Sequence, residues 1–555
     1  MDITKMRAAL TAGALSMALT LSIFSSGQAN AQTMCPPLGW SGSLAAFLEP
    51  GAKIATQEPD SDCAFHEWSW ETFVWATALD KNGVPRFMSL PTPDDMSFKF
   101  SAVKKSGKLT LKLATRTHGK GGIGEKEGAG AIVEADGNML VGLNGYPVYA
   151  SVHMNQPYFE AAVSNLISTG NYKRYVGNYF PVGSAVFKAT WLRVDSGNPP
   201  PAGAFVTQAE VPVLTKNAFN VVVPAVDSLA PGGGKIKTVT ATVALVGLHV
   251  VGQTAAHPEF LWGTFEHHLN SPRVADNTFV TTGSNGNSYT FYQQGTSYAN
   301  VNVANQGPPG VLGFDEKTQR FSPVTQVVQL NQTGGENNPG GVANIGAVNM
   351  SGQAFLASNR KVAIAQRIFA NYDLIGTVWM SPNTYVDTCA NPSENPCKPA
   401  NIVAPTLNQA NAVGSISLAN STAETFQQIA SIYAQPQPSP LPPAPAPAPP
   451  VTIAPANFQN CFACHNAQSF SGSTPALPAR RVGISHVVAN NSVFAVANQL
   501  PICADTKAGP IWNNDDAKEK CPQVCQSVQS AWNGQWRTTN PGSESVCGCC
   551  GNPTN

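Results

Sequence analysis

Twelve cysteines are spread so unevenly over 555 residues that their spacing constrains the fold before any other feature does. Two stand in Cys461-Phe462-Ala463-Cys464-His465, and six crowd the span from Cys503 to Cys550. The pentapeptide is C-x-x-C-H, the spacing for covalent c-type haem attachment. Two thiols one helical turn apart each add to a haem vinyl group, and the adjacent histidine lies beneath the iron as an axial ligand. A C-x-x-C redox pair would want a βαβ context, and half a zinc site would want two further ligands nearby. Neither context is visible, so Cys461, Cys464 and His465 are expected to hold one haem c, with His465 proximal.

Export agrees with that chemistry. Residues 1–31 read as a secretory signal, with Lys5 and Arg7 in the charged region, Ala8 to Phe24 apolar, and Ala29-Asn30-Ala31 as the cleavage site. Met34 precedes Cys35 where a lipoprotein would need a small residue, so no lipid anchor is expected. No later run is apolar for long enough to span a bilayer. The expected location is periplasmic or secreted. There, ten cysteines remain after Cys461 and Cys464 are set aside, an even number in an oxidising compartment. Proximity pairs Cys35 with Cys63 and Cys389 with Cys397. The six tail cysteines allow 15 pairings and stay unassigned. Charge is sparse and balanced, 33 basic against 33 acidic residues, which leaves no footprint for nucleic acid or an anionic membrane.

Residues 32–433 read as one large β-rich body. His66 to Trp75, with Trp68, Trp70 and Trp75, suits a buried helix or turn. Lys108 to Thr115 alternates as a half-buried strand. Val186 to Val194 puts Phe187, Ala189, Trp191 and Arg193 on one face. Val239 to Val251 is continuously apolar and belongs at a sheet centre. Gly119 to Gly130 and Gly283 to Gly295 are loops; the first lacks the following helix that a phosphate loop requires. Ser421-Thr422-Ala423-Glu424 reads as a capping box opening a helix over 422–433. Phe355 to Phe369 is a weaker helix candidate. Gln435 to Pro450 is a Pro-Ala tract (linker or loop, 434–450), which would span about 50 Å if extended.

No methionine follows Met380, so the sixth iron position falls to a histidine, an upstream methionine, water or nothing. Only about forty residues separate Cys461 from the cysteine-rich tail, too few to enclose a haem alone. The haem segment, residues 451–500, is therefore expected to pack on the body. The candidate sixth ligands, in order, are His267, His249 and His486. Gly247-Leu248-His249-Val250-Val251, then Pro258 to His267, then Asn371 to Thr377, then Leu418-Ala419-Asn420-Ser421-Thr422, then C-x-x-C-H, resemble a family of exported bacterial cytochrome c-type proteins. The resemblance spans most of the body and implies haem, but names no substrate. The Pro-Ala tract and everything after the haem segment depart from it.

The tail, residues 501–555, carries Gly509-Pro510-Ile511-Trp512-Asn513-Asn514-Asp515 and Gly534-Gln535-Trp536-Arg537-Thr538. Asn513 or Asn514 caps an expected helix, with Asp515, Asp516 and Glu519 favouring its dipole. Trp536 reads as part of a strand. Both motifs resemble the mannan-binding lectin domain first known from cyanobacteria, a small β-α-β-β unit. That resemblance implies a groove for high-mannose glycan bordered by Trp512, Asn513, Asn514, Asp515, Gly534, Gln535, Trp536, Arg537 and Thr538. The chemistry suits it, since sugar C–H faces stack on indoles and hydroxyls bond to amides, carboxylates and guanidinium. The alternative is a disulfide knot in which both tryptophans are core staples. The cysteines depart from the cyanobacterial pattern and would compensate for a small core.

The expected fold class is α+β: a β-rich body, a short helical c-type haem segment, and a disulfide-rich β-α-β-β lectin-like domain. The expected function is haem-based electron transfer, with a redox partner protein, on a chain that also binds mannose-rich glycan. A glycan-targeted haem oxidase or peroxidase, and a carbohydrate-binding protein with structural haem, are the alternatives. No catalytic residues are assigned.

Overall fold

The computed structural model describes residue 35 and residues 43–95, 109–111, 139–167, 180–216, 222–227, 235–274, 288–294, 296, 301–302, 313–330, 341–381 and 388–398. It also describes short stretches between 402 and 425, then 431–434, 451–454, 461–466, 481–485, 502–527 and 531–551. The secretory signal, the Gly119 to Gly130 loop, the Pro-Ala tract and His486 lie outside these residues, as does most of Lys108 to Thr115.

The first long helix, α1 (Asp62–Thr77), starts where Ser61 accepts a hydrogen bond from the Ala64 amide, 3.4 Å away. Its apolar residues do not keep to one stripe, so it is buried nearly all round. The indoles of Trp68, Trp70 and Trp75 each donate to a partner: Ala55 O, Asn349 Oδ1 and Ala52 O. This satisfies the only polar atom on each buried ring.

The body is built on an eight-stranded sheet. Its main strands are β1 (Val148–Met154), β2 (Ala185–Val194), β3 (Val206–Pro212), β4 (Thr238–Gly252), β5 (Leu261–His267), β6 (Tyr372–Met380) and β7 (Ala412–Gly414). A two-residue strand, Leu109–Thr110, pairs with β3. Helix α2 (Gln156–Ile167) follows β1, and α3 (Gly341–Ser358) precedes β6. The expected central strand, β4, is long enough to have three partners: β2, β3 and β5. Phe187, Ala189 and Trp191 of β2 enter one core as expected, while Arg193 sits over the Tyr146 ring.

The two faces of the sheet differ. Alternation sends Leu248, Val250 and Gly252 of β4, and Gly263 and Phe265 of β5, toward the helices. There Phe73 of α1 stacks on Phe265, ring centroids 4.0 Å apart. A Cβ on Gly263 would collide with Ser69, and one on Gly352 of α3 would collide with Trp70, so backbone meets side chain directly. The opposite face carries Gly247, His249 and Val251, with Thr264 and Trp262 as the register partners of the last two.

Two expected helices are corrected. The helix expected over Phe355 to Phe369 instead ends at Ser358 as α3, and a 3₁₀ helix follows over Ile364–Asn371. Asn359 makes the break: its Oδ1 accepts from the Lys361 amide, a turn that competes with helix continuation. The capping box is not a helix start. Residues 421–423 form a turn, and Ser431–Ala434 is a strand. The Ser421 hydroxyl that would have capped donates to Glu266, and its amide donates to the same carboxylate at 2.6 Å. A buried carboxylate outcompetes a local cap.

Strands Ser431–Ala434 and Val451–Ala454 pair antiparallel, with Ala434 opposite Val451. The residues that flank the Pro-Ala tract, Ala434 and Val451, therefore lie side by side across one ladder. Both expected disulfides outside the tail form, Cys35–Cys63 and Cys389–Cys397. Among the described residues, no helix is long and apolar enough to cross a membrane.

The tail folds as β8 (Ile502–Ala508), α5 (Asn514–Ser527), β9 (Ala531–Asn540) and β10 (Glu544–Gly551), with β10 between β8 and β9. This is the expected β-α-β-β order. It has its own core of Ala508, Ile511, Ala517 and four cysteines. Cys521 and Cys525 lie four apart on α5, and they bond to Cys547 and Cys549, two apart on β10. Both spacings put a pair on one face of its element, so helix and strand are stapled face to face.

Candidate functional site

Cys461–Cys464 forms a single helical turn, α4, and the His465 amide continues it by donating to Cys461 O at 2.8 Å. Phe462 is fully buried among Met154, Phe260, Val251 and Val378, on the sheet face opposite α1 and α3. Half-buried Cys461 packs against the same cluster. Asn466 anchors the far end: its Nδ2 donates to Leu407 O at 2.8 Å, and its Oδ1 accepts from Leu407 N at 2.6 Å. A second stretch, 481–485, docks alongside. Ile484 joins the apolar cluster, and Tyr158 donates its hydroxyl to Ser485. Burial pushes the Tyr158 phenol well above its ordinary range. Phe260, also in this cluster, has φ +70°, a left-handed backbone rare for a bulky side chain and maintained here by packing against Tyr158 and Phe180.

The ring of His465 lies against Trp262 of β5, centroids 4.3 Å apart. Its Nδ1 is 3.1 Å from the carbonyl oxygen of Ile484. A carbonyl only accepts, so Nδ1 carries the proton and, in the neutral ring, Nε2 carries the lone pair. A carbonyl that accepts from Nδ1–H fixes the ring's orientation and raises the basicity of its other nitrogen. Cys461 and Cys464 at helical spacing, and His465 with its Nδ1 proton engaged, beside Trp262 and Phe462, are the residues that would hold a covalent haem. The side chain of Cys464 is outside the described residues.

The candidate sixth ligands separate. His267, placed first from sequence, stands five residues from Trp262 on the same strand, so the two point to opposite faces about 16 Å apart. It is buried on the helix side, against Tyr372 and stacked on His268. Its Nδ1 accepts from the Leu269 amide, and burial, with His268 beside it, pushes its pKa down to about 4. The structure does not bring His267 together with His465; the parity of β5 forbids it. His249 is half-buried on the face that Trp262 and Phe462 occupy.

The motifs behind the cytochrome resemblance converge on that face. A Cβ on Gly247 would lie 2.5 Å from Thr422 Oγ1 and 2.6 Å from Thr190 Oγ1. Asn420 donates to Thr264 Oγ1 at 2.8 Å, and Thr190 and Thr422 share a 2.6 Å hydrogen bond. Buried Glu266 accepts from Ser421, Asn270 and Gln329. The sequence pointed to a helix cap at Ser421 and to no role for Gly247, Thr264, Glu266 or Asn420. The only signal was polar residues next to apolar strands.

In the tail the two tryptophan motifs meet. Trp536 Nε1 donates to Asn514 Oδ1 at 2.9 Å, and Ile511 N donates to Ser545 Oγ. Asn513 is the cap: its Oδ1 accepts from the amides of Asp515 and Asp516. Asp516 accepts from Trp512 N and Lys520 Nζ, which holds its carboxyl below the usual carboxylate range. Trp512 is 68% exposed and reaches toward Gly542 in the β9–β10 turn, 3.8 Å from where a Cβ would lie. Trp536 instead packs on the tail core while keeping an edge open. Between the pairs Trp532–Cys549 and Trp536–Cys547, three residues of β9 face one of β10, so Asn533-Gly534-Gln535 bulges out of the ladder. Arg537 and Thr538 follow, opposite Val546 and Ser545. Asp515 pairs with Lys518 on the surface.

An exposed indole thus stands beside a capped helix start, and the helix start is tied to the bulged strand, on a disulfide-stapled module. The profile of the mannan-binding protein family matches residues 514–549 of it. Lectin MVL from Microcystis viridis is 45% identical over 42 residues, a stretch covering 8% of this chain and 37% of that lectin. The tail is thus a mannan-binding-lectin-like module, and the chain spans about a third of the curated relative that it matches. No solved structure matches the chain.

Proposed function

We propose that this protein is an exported mono-haem c-type cytochrome that passes single electrons to a redox partner and is held on mannose-rich glycan by its C-terminal module. The observation that supports the haem reading is the Nδ1 contact of His465 to Ile484 O, which fixes the tautomer of the histidine that ends the C-x-x-C-H turn. Covalent haem, attached through Cys461 and Cys464 and ligated by His465, supplies one-electron redox chemistry when bound. The residues around it do the rest. Phe462 and Trp262 exclude water, and Asn466 and Ser485 fix the segment to the body.

The glycan reading rests on exposed Trp512, the neighbouring Asn513, Asn514 and Asp515, and the lectin similarity. Trp536, Arg537 and Thr538 would form the other bank. A single module implies weak binding unless copies associate. Purified holoprotein tests both parts. Haem that survives acid-acetone extraction in the parent, and is lost when Cys461 and Cys464 are both changed to Ala, supports the first. Retention on immobilised mannan, with release by free mannose oligosaccharide, supports the second. A high-spin ferric spectrum that reacts with peroxide would favour the oxidase or peroxidase alternative.

A further inference from the structure

We infer that Lys520 is a positioning residue of the glycan site: its ammonium pins the loop that carries Trp512, so the exposed indole is set in place before a sugar arrives. The inference rests on the glycan reading above. The loop is Gly509 to Asn513, between the end of β8 and the start of α5. Ile511, in its middle, is buried in the tail core, and its amide donates to Ser545 Oγ at 3.2 Å. Trp512 follows it out into solvent. An indole on an unsecured loop samples many positions, and ordering it on binding weakens affinity. Two residues of α5 secure this loop. Lys520 Nζ donates to Pro510 O at 2.8 Å and to Asp516 Oδ2 at 3.0 Å. The same Asp516 oxygen accepts from the Trp512 amide at 3.0 Å. One ion pair thus holds the backbone on both sides of Ile511.

Asp516 and Lys520 are four apart on a helix, so they face the same way, with the carboxylate on the N-terminal side, the favoured order. Asp516 is itself fixed, because its amide donates to the cap oxygen of Asn513. The clamp therefore stands on the helix start that Asn514 ties to Trp536. An ammonium has three N–H donors, and two of those on Lys520 are committed here. The other ion pairs of the tail differ. Lys518 pairs with Asp515, both largely in solvent, and among the described residues its ammonium reaches no backbone carbonyl. Lys507 pairs with Glu544 across β8 and β10, away from the loop.

The test uses the full-length protein and two readouts, affinity for mannan and amide exchange without sugar. Lys520→Met keeps the aliphatic stem and removes the ammonium. It should bind mannan roughly 3–10-fold more weakly than the parent. The amides of 509–513 should exchange faster in the same variant. Lys507→Met removes a charge elsewhere on the tail and should change neither readout. Thermal melts establish that each variant is folded. If Lys520→Met does not fold, Asp516→Asn breaks the same ion pair and carries the same two readouts. Unchanged affinity overturns the proposal. Weaker binding with unchanged exchange also overturns it, since Lys520 would then touch the sugar directly. An equal loss in Lys507→Met overturns it too, as a general effect of charge. A parent that mannan does not retain overturns the glycan reading itself.

Discussion

Trp536 donates its indole N–H to the side-chain oxygen of Asn514, 2.9 Å away, and so ties the two tryptophan motifs of the lectin-like module together. The two tryptophans then have different jobs. Trp512, mostly in solvent, is free to stack on a sugar at no structural cost. Trp536→Ala removes both a core contact and the tie. Replacing Trp512 by Ala should weaken mannan binding by about 1–3 kcal/mol and leave the melting temperature unchanged. Trp536→Ala should lower both. Titration calorimetry and thermal melts on each variant measure this, and an unchanged affinity for Trp512→Ala removes the stacking role.

Four cysteines of the tail are paired between α5 and β10, and the remaining two, Cys503 and Cys550, are direct register partners on β8 and β10. We expect a third tail disulfide between them. The bonds closing 26 and 24 residues each contribute about 3–4 kcal/mol in the chain-entropy account. Non-reducing peptide mapping reads the connectivity. A Cys503 peptide carrying a free thiol would contradict the pairing.

Burial holds the folded His267 pKa near 4, below the ordinary value of 6.5. The unfolded chain therefore takes up the proton first as pH falls. Stability from this residue is fully present above pH 6.5, and is lost between 6.5 and about 4. The loss should reach the order of 3 kcal/mol. Denaturant melts of the parent and of His267→Gln across this window should show a flatter curve for the variant. Parallel curves would contradict the burial account.

Glu266 is buried and accepts two hydrogen bonds from Ser421, one from Asn270 and one from Gln329. Glu266→Gln turns one acceptor oxygen into a donor facing donors. The expected cost is about 3 kcal/mol, and the turn at 420–423 should lose its hold on the sheet. Thermal melts report the first, and faster amide exchange at Ser421 and Thr422 reports the second. Unchanged exchange there would show that other contacts hold the turn.

Much of the fold was legible because it depends on local pattern. The continuous apolar run of β4 and the buried tryptophan helix follow from local apolar pattern, and the β-α-β-β order of the tail is what the lectin resemblance implied. The disulfides outside the tail followed from proximity. The misread helix over 422–433 shows the limit. A capping box is a statement about Ser421 and its neighbours, whereas the hydroxyl went to a carboxylate 155 residues away. The helix over 355–369 failed for a nearer reason, the side-chain turn of Asn359.

The sequence alone determined the chemical alphabet of both candidate sites: C-x-x-C-H, the indoles, and the amides and carboxylates beside them. Spacing within one helical turn is enough for that, because covalent geometry sets it. Tertiary structure decided which residues share a site. Strand parity put His249, and not His267, on the face with Trp262, and chain folding set Ile484 O beside His465 Nδ1. Likewise helix packing made Trp536 a strut and left Trp512 as the exposed ring. A strand's facing flips with every residue, and its partners come from hundreds of residues away, so only the folded sheet can rank ligands that look alike in the sequence.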